Sequence, residues 1–116
     1  KSGLKLKNSK VLVVGVTYKK DVLDLRKSPA LDIIEGLTQK NTAISYYDPL
    51  IPYLRINHLR LDSIKLTPRA IKRFDCVLIV TDHSSIDYAL VLKNARLIFD
   101  TRNVYKGIVN EKIYRL

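Results

Sequence analysis

Apolar residues in this chain come in short runs separated by polar stretches, and the form of each run predicts an element. Val11-Leu-Val-Val-Gly-Val16 is β-branched and apolar with a glycine near its end, the form of a strand buried on both faces of a parallel sheet. Ala30, Leu31, Ile33, Ile34 and Leu37 recur at helical spacing behind Ser28-Pro29, an N-cap candidate followed by a proline suited to the first turn. A helix from about Pro29 to Gln39 is predicted. Ala43 to Tyr47 is rich in β-formers and is stopped by Asp48-Pro49, giving a second strand. Pro52, Asn57 and His58 interrupt the stretch from Leu50 to Ser63, which predicts one short strand near Leu59 to Leu61. Thr67-Pro68 opens a helix reaching about Arg73, and Asp75 to Val80 forms a central strand. Ser84 to Leu92 is a helix capped at Ser84 or Ser85, and Arg96 to Asp100 is a further strand. The tail from Gly107 predicts a terminal turn or short helix. Residues 1–10 are polar and lysine-rich, a linker or the end of a preceding helix, which leaves 11–116 as the domain.

Strand and helix in alternation imply right-handed βαβ crossovers. The expected fold is α/β, a three-layer α/β/α sandwich on a mainly parallel, Rossmann-like sheet of five to six strands. Such folds bind ligands beyond the carboxyl ends of their strands, so the loops after Gly15, Val80 and Phe99 form the functional edge. At 116 residues the chain is one domain, large enough for a core without metal or disulfide. No apolar run nears the ~20 residues that span a bilayer, and no secretory signal opens the chain. Cys76, the only cysteine, lies inside a strand-like run and serves as core filler; without disulfides, a cytoplasmic setting is expected. The chain starts at Lys1 and has no methionine, which leads to the expectation that it is a piece of a longer protein.

The formal net charge of +10 changes the picture, because it invites a nucleic-acid reading. The basic residues are spread along the chain, however, and no recognition helix, RNA-binding aromatic motif or zinc-ligand spacing accompanies them. A small phosphate-bearing ligand suits the same charge.

Three loops carry candidate chemistry. Gly15 to Pro29 runs from a strand end to a helix start, where free backbone N–H groups favour anions. It lacks the second and third glycines of a dinucleotide fingerprint and offers side chains instead: Lys19 and Lys20 as point charges, Arg26 as a fork, and Asp21 and Asp24 to orient them. A solvated loop with local ion pairs is the alternative. Arg102, just past a strand end with Asp100 beside it, either reaches a ligand phosphate, ribose or base or is an ordinary surface residue. Asp82, His83 and Ser84 have the residue types of a triad, but neighbours in sequence rarely converge in that geometry, and helix capping explains them better. His58 and His83 are the only histidines, with no acid cluster around them, so no metal site is expected.

Taken together, Gly15-Val-Thr-Tyr-Lys-Lys-Asp21, Asp24-Leu-Arg-Lys-Ser-Pro29, Tyr47-Asp-Pro49, Val80-Thr-Asp-His83 and Phe99-Asp-Thr-Arg-Asn103 resemble the C-terminal domain of the UDP-glucose/GDP-mannose dehydrogenase family. The first-loop tyrosine, Thr-Asp-His and Asp-Thr-Arg-Asn are most similar to the branch containing UDP-N-acetylglucosamine 6-dehydrogenase. The resemblance implies a UDP-sugar-binding domain, joined in a full-length protein to an NAD-binding domain by a long central helix. It implies that Tyr18, Lys19 and Arg102 contact the UDP-sugar and that Arg26 reaches across a cleft to NAD. The implied reaction oxidises the sugar C6 alcohol to a carboxylate, for polysaccharide synthesis, on a catalytic cysteine outside this chain. The full-length protein is implied to be a homo-oligomer, with no nucleic acid and no membrane as partner. A freestanding α/β module that senses a nucleotide without catalysis is the alternative reading.

Overall fold

The computed structural model describes residues 8–22, 25, 28–56 and 58–115. Its framework is a five-stranded sheet in the order β2-β1-β5-β6-β7, and every pairing in it is parallel. Strand β1 (Lys10–Val14) lies beside β2 (Ala43–Tyr47), in register from Lys10 against Ala43 to Val14 against Tyr47. On its other side β1 pairs with β5 (Cys76–Ile79), Val14 standing opposite Ile79. Strands β6 (Ile98–Asp100) and β7 (Ile113–Arg115) complete the sheet.

Alternation along β1 divides the core into two halves, as a strand covered on both faces requires. Val11 and Val13 pack with Ala30 and Ile34 of helix α1 (Pro29–Gln39) on one face. Leu12 and Val14 pack on the other with Ile71 of α2 (Pro68–Lys72) and Val91 of α3 (Tyr88–Asn94). Each such side chain taken out of water contributes ~1.5–3 kcal/mol. Helix α1 runs over the residues predicted: the Ser28 hydroxyl accepts from the Ala30 N–H at its start, and Pro29 stands in the first turn. The α/β class and the three layers are as the residue pattern predicts.

Three elements differ from expectation. The stretch before α2 forms an antiparallel hairpin, β3 (Tyr53–Ile56) and β4 (Leu59–Asp62), where one short strand was expected. Leu54 is buried in the α1-side core while Tyr53 and Arg55 are exposed, and a two-faced strand this short carries too few apolar positions to be seen in sequence. Helix α3 begins at Tyr88, not near Ser84, because Asp87 supplies the cap by accepting from the Leu90 N–H at 3.0 Å. The Ser84 N–H and hydroxyl are already engaged by Asp21. The tail forms β7, not a turn or helix: Ile113 is buried against the α2–α3 core, and Arg115 donates to the Tyr105 and Ile108 carbonyls at 2.6 and 2.5 Å.

The chain leaves β1 towards β2 on one side and returns to β5 on the other, which creates a topological switch between β1 and β5. Crevices beyond the carboxyl ends of strands at such a point are where open α/β sheets hold ligands. No helix among the described residues is long and apolar enough to cross a membrane.

Candidate functional site

The loops following β1, β5 and β6 meet above this switch and enclose a cavity of 410 Å³ lined by Tyr18, Lys19, Lys20, Asp82 and Arg102. A pocket of this size accommodates a small-molecule ligand. The structure thus brings together the three residues expected at the substrate site, Tyr18, Lys19 and Arg102. Arg26, expected to face a cofactor, lies outside the described residues, as does Asp24. A larger cavity of 580 Å³ opens at the amino end of the sheet, between β2 and α2. It includes none of the three loops.

Each wall of the smaller cavity is held from below. Gly15 starts the first loop with φ at +84°, and its N–H donates to the Tyr47 carbonyl at 2.9 Å. The Thr81 hydroxyl donates to the Thr17 carbonyl at 2.5 Å, and the Thr17 hydroxyl donates to the Lys19 carbonyl at 2.7 Å. Tyr18, Lys19 and Lys20 are exposed above this anchor, with the Lys19 ammonium 5.7 Å from the centroid of the Tyr18 ring. At that distance the ring face attracts the cation and keeps the pair together.

Arg102 is fixed through its backbone and its Nε. Nε donates to the Val80 carbonyl at 2.8 Å, and the terminal nitrogens have no partner among the described residues. The Asp100 carboxylate does not contact the guanidinium. It accepts instead from three backbone N–H groups, those of Arg102 and Val104 at 3.1 Å and Tyr105 at 3.0 Å. Two lysines and an arginine, whose terminal nitrogens have no hydrogen-bond partner among the described residues, give the cavity a charge that suits a multiply charged anion. Asp82 supplies one carboxylate to accept from a hydroxyl or N–H group. Its place in the cavity was hidden in the sequence behind the capping reading of its loop.

Asp82, His83 and Ser84 do not form a triad. The His83 ring is fully buried, and its Nε2 lies 2.9 Å from Oδ2 of Asp48, an acid 35 residues earlier. The expectation that no acids surround the histidines therefore fails for His83: Asp48 and Asp21 both approach it, the latter at 3.8 Å. Among the described residues no cluster able to hold a metal ion is present. Ser84, in turn, is bound to the Asp21 carboxylate through its N–H at 2.7 Å and its hydroxyl at 2.5 Å.

These two bonds, the hydroxyl's first, hold the Asp21 carboxyl below the usual carboxylate range. A lowered pKa means that the latch contributes stability above the unfolded-state value of about 4 and loses it as pH falls through the folded-state value. We expect the Asp21 carboxyl carbon to titrate below an ordinary aspartate, with the Ser84 amide shifting in step. An NMR pH titration checks this, and an ordinary midpoint would dismiss the latch.

Cys76 is 3% exposed and its thiol is pushed up to about 11 by burial, so it stays protonated and inert as core filler.

Residues 12–107 match the UDP-glucose/GDP-mannose dehydrogenase family, UDP binding domain. The chain belongs to this family, and the residues matched contain the end of β1, all of β5 and β6, and the loops that line the cavity. UDP-N-acetyl-D-mannosamine dehydrogenase of Methanococcus vannielii is 34% identical over 110 residues, covering 87% of this chain and 24% of that protein. UDP-glucose 6-dehydrogenase of Rickettsia bellii is 32% identical over 120 residues, 93% of this chain and 27% of that protein. Among solved structures, the UDP-N-acetyl-mannosamine dehydrogenase of Staphylococcus aureus superposes with a TM-score of 0.67 at 34% identity, over 95% of this chain and 26% of that one. The chain therefore spans about a quarter of the length of the relatives it matches.

Proposed function

We propose that this domain binds the UDP moiety of a UDP-sugar and forms one wall of the active site of an NAD-dependent UDP-sugar 6-dehydrogenase. The observation that carries the reading is the basic cavity at the switch point, in which Lys19, Lys20 and Arg102 converge on a space of nucleotide size. Lys19 and Arg102 neutralise the diphosphate, with Lys20 beside them. Tyr18 offers a ring face and hydroxyl to base or sugar, and Asp82 accepts from a ligand hydroxyl or N–H. The sugar is an N-acetylhexosamine: the loop motifs favour N-acetylglucosamine, whereas the names of several relatives favour N-acetylmannosamine.

NAD accepts hydride in this chemistry when bound. The loop after β1 has Gly15 as its only glycine and lacks the dinucleotide fingerprint, so the cofactor belongs mainly to another domain of a longer protein, and Arg26 is this chain's contribution to its binding. Cys76 is buried and protonated, so the nucleophilic cysteine of the reaction also lies elsewhere. A single reduced cysteine suits work in the cytoplasm.

The test is an NMR titration of the labelled chain with UDP at fixed salt, with UMP and a short DNA duplex as controls. UDP should give saturable shifts confined to the loops after β1, β5 and β6. Lys19→Ala and Arg102→Ala should each weaken it about tenfold or more, the loss of a charge-assisted hydrogen bond of ~1.5–3 kcal/mol. Unchanged affinity in both variants, or broad shifts with DNA and none with UDP, would defeat the reading. In the full-length protein, NADH formation with UDP-N-acetylglucosamine, UDP-N-acetylmannosamine and UDP-glucose identifies the sugar.

A further inference from the structure

The first-loop residues of the cavity sit on an arch from Thr17 to Asp21, and both feet of that arch rest on one imidazole. The Thr17 hydroxyl lies 3.1 Å from Nε2 of His83, and the Asp21 N–H donates to Nδ1 at 2.7 Å. Asp21 reaches this position with φ at +58°, in the left-handed region that aspartate tolerates. A backbone N–H can only donate, so Nδ1 is an acceptor and the ring proton sits on Nε2. Nε2 then donates to Asp48 Oδ2 at 2.9 Å, and to the Thr17 oxygen, whose own proton is committed to the Lys19 carbonyl. The partners therefore select a single tautomer.

The ring is itself immobilised. Asp48 is 3% exposed, and its carboxylate also accepts from the Val16 N–H at 2.7 Å and the Leu50 N–H at 2.8 Å, which ties it to the ends of β1 and β2. The His83 carbonyl accepts from the Tyr88 hydroxyl at 2.8 Å, and the Tyr88 carbonyl accepts from the Tyr105 hydroxyl at 2.7 Å. Burial raises both phenol pKa values, so both remain donors. Hydrogen bonds to Ser84 fasten the solvent side of the arch. Arg102, the opposite wall, hangs from Val80 in the same β5 loop.

We propose that His83 is a positioning residue of the nucleotide-sugar pocket: held in one tautomer, it sets the spacing of Tyr18, Lys19 and Lys20 from Arg102. The proposal rests on the UDP reading of the cavity. It assigns His83 no contact with ligand and no proton transfer. Its effect is preorganisation, since an arch already fixed loses less freedom when ligand binds.

The experiment compares wild type with His83→Phe and His83→Gln. Phenylalanine keeps an aromatic ring and removes all three of its hydrogen bonds, those to Asp21, Asp48 and Thr17. Glutamine restores an acceptor oxygen and a donor nitrogen about as far apart as the two ring nitrogens. In ¹⁵N-histidine spectra of the free wild-type chain, His83 should give an unprotonated Nδ1 and a protonated Nε2. UDP affinity should fall tenfold or more in His83→Phe, with altered Thr17 and Asp21 amide shifts and β-sheet signals retained, and should recover to within a few-fold of wild type in His83→Gln. If His83→Phe does not fold, Asp21→Ala cuts the exposed fastening, with the added strain of an alanine at φ +58°, and should weaken UDP several-fold.

A proton on Nδ1, or wild-type affinity in a folded His83→Phe or in Asp21→Ala, would overturn the proposal. The tautomer and the loop shifts are read without ligand, so the two failures are distinguishable. If both appear as expected while the wild-type chain binds no UDP, the UDP reading fails and takes the positioning role with it.

Discussion

Gly15→Ala should destabilise the chain by about 3 kcal/mol or more and lower Tm by more than about 10 °C. Two terms add. The backbone φ of +84° lies in the left-handed region that a Cβ disfavours. A Cβ built there would also meet the Thr81 carbonyl oxygen at 2.1 Å and the Thr81 Cβ at 2.7 Å. The first contact is with backbone, so no rotamer relieves it. The loop after β1 and the loop after β5 can approach this closely only through a glycine, and the cavity is formed by that approach. Gly36→Ala is the control: within helix α1, nothing lies within 4 Å of the added carbon, so alanine should stabilise by about 0.5–1 kcal/mol. Thermal unfolding of both variants decides the matter. A Gly15→Ala protein as stable as wild type would mean that the two loops are free to separate.

The residues that were legible in sequence and those that were not differ in the range of the interactions that define them. Helix α1 could be placed because Ser28, Pro29 and the apolar spacing behind them are local signals. Lys19 and Arg102 could be singled out because strand ends feeding polar loops are recognisable, Tyr18 was added by the family resemblance, and the fold rule then places them together. Residues 113–115 read as tail because a three-residue strand has no periodicity, and only β6, some fifteen residues away, gives them a partner. His83 was obscured in the same way. Its partners are Asp48, Thr17 and Asp21, 35, 66 and 62 residues distant, and in sequence it stands between Asp82 and Ser84, which suggested capping. A signal was nonetheless present: a histidine three residues past an apolar run, with an Asp-Pro directly after the strand on the far side of β1, puts an imidazole and a carboxylate at the same end of the sheet once the parallel order is known. That order is not itself a local property.

Asp100→Ala should cost about 3 kcal/mol in urea unfolding and also weaken UDP binding, by a route separate from His83. The carboxylate is 1% exposed and collects the N–H groups of Arg102, Val104 and Tyr105. With alanine, three donors in a crowded turn lose their acceptor at once, and each one that water cannot reach carries a desolvation cost of ~1–3 kcal/mol. Water reaches the exposed Arg102 more readily than Tyr105, which is 3% exposed, so the sum falls short of three full penalties. Loosening of this turn acts on the site through Arg102, whose Nε–Val80 bond alone cannot fix a guanidinium when its Cα moves. UDP affinity should therefore fall about tenfold, a loss of ~1.4 kcal/mol, while the Thr17 and Asp21 amides keep their wild-type shifts. Asp100→Asn retains one acceptor oxygen and turns an NH₂ towards the remaining donors, so it should fall between alanine and wild type in both stability and affinity. If Asp100→Ala lost stability but bound UDP as wild type, Arg102 would be held by Val80 alone and the acidic turn would serve only the fold. If it lost affinity with stability unchanged, the three N–H groups would be satisfied by solvent, and the argument from their burial would be wrong.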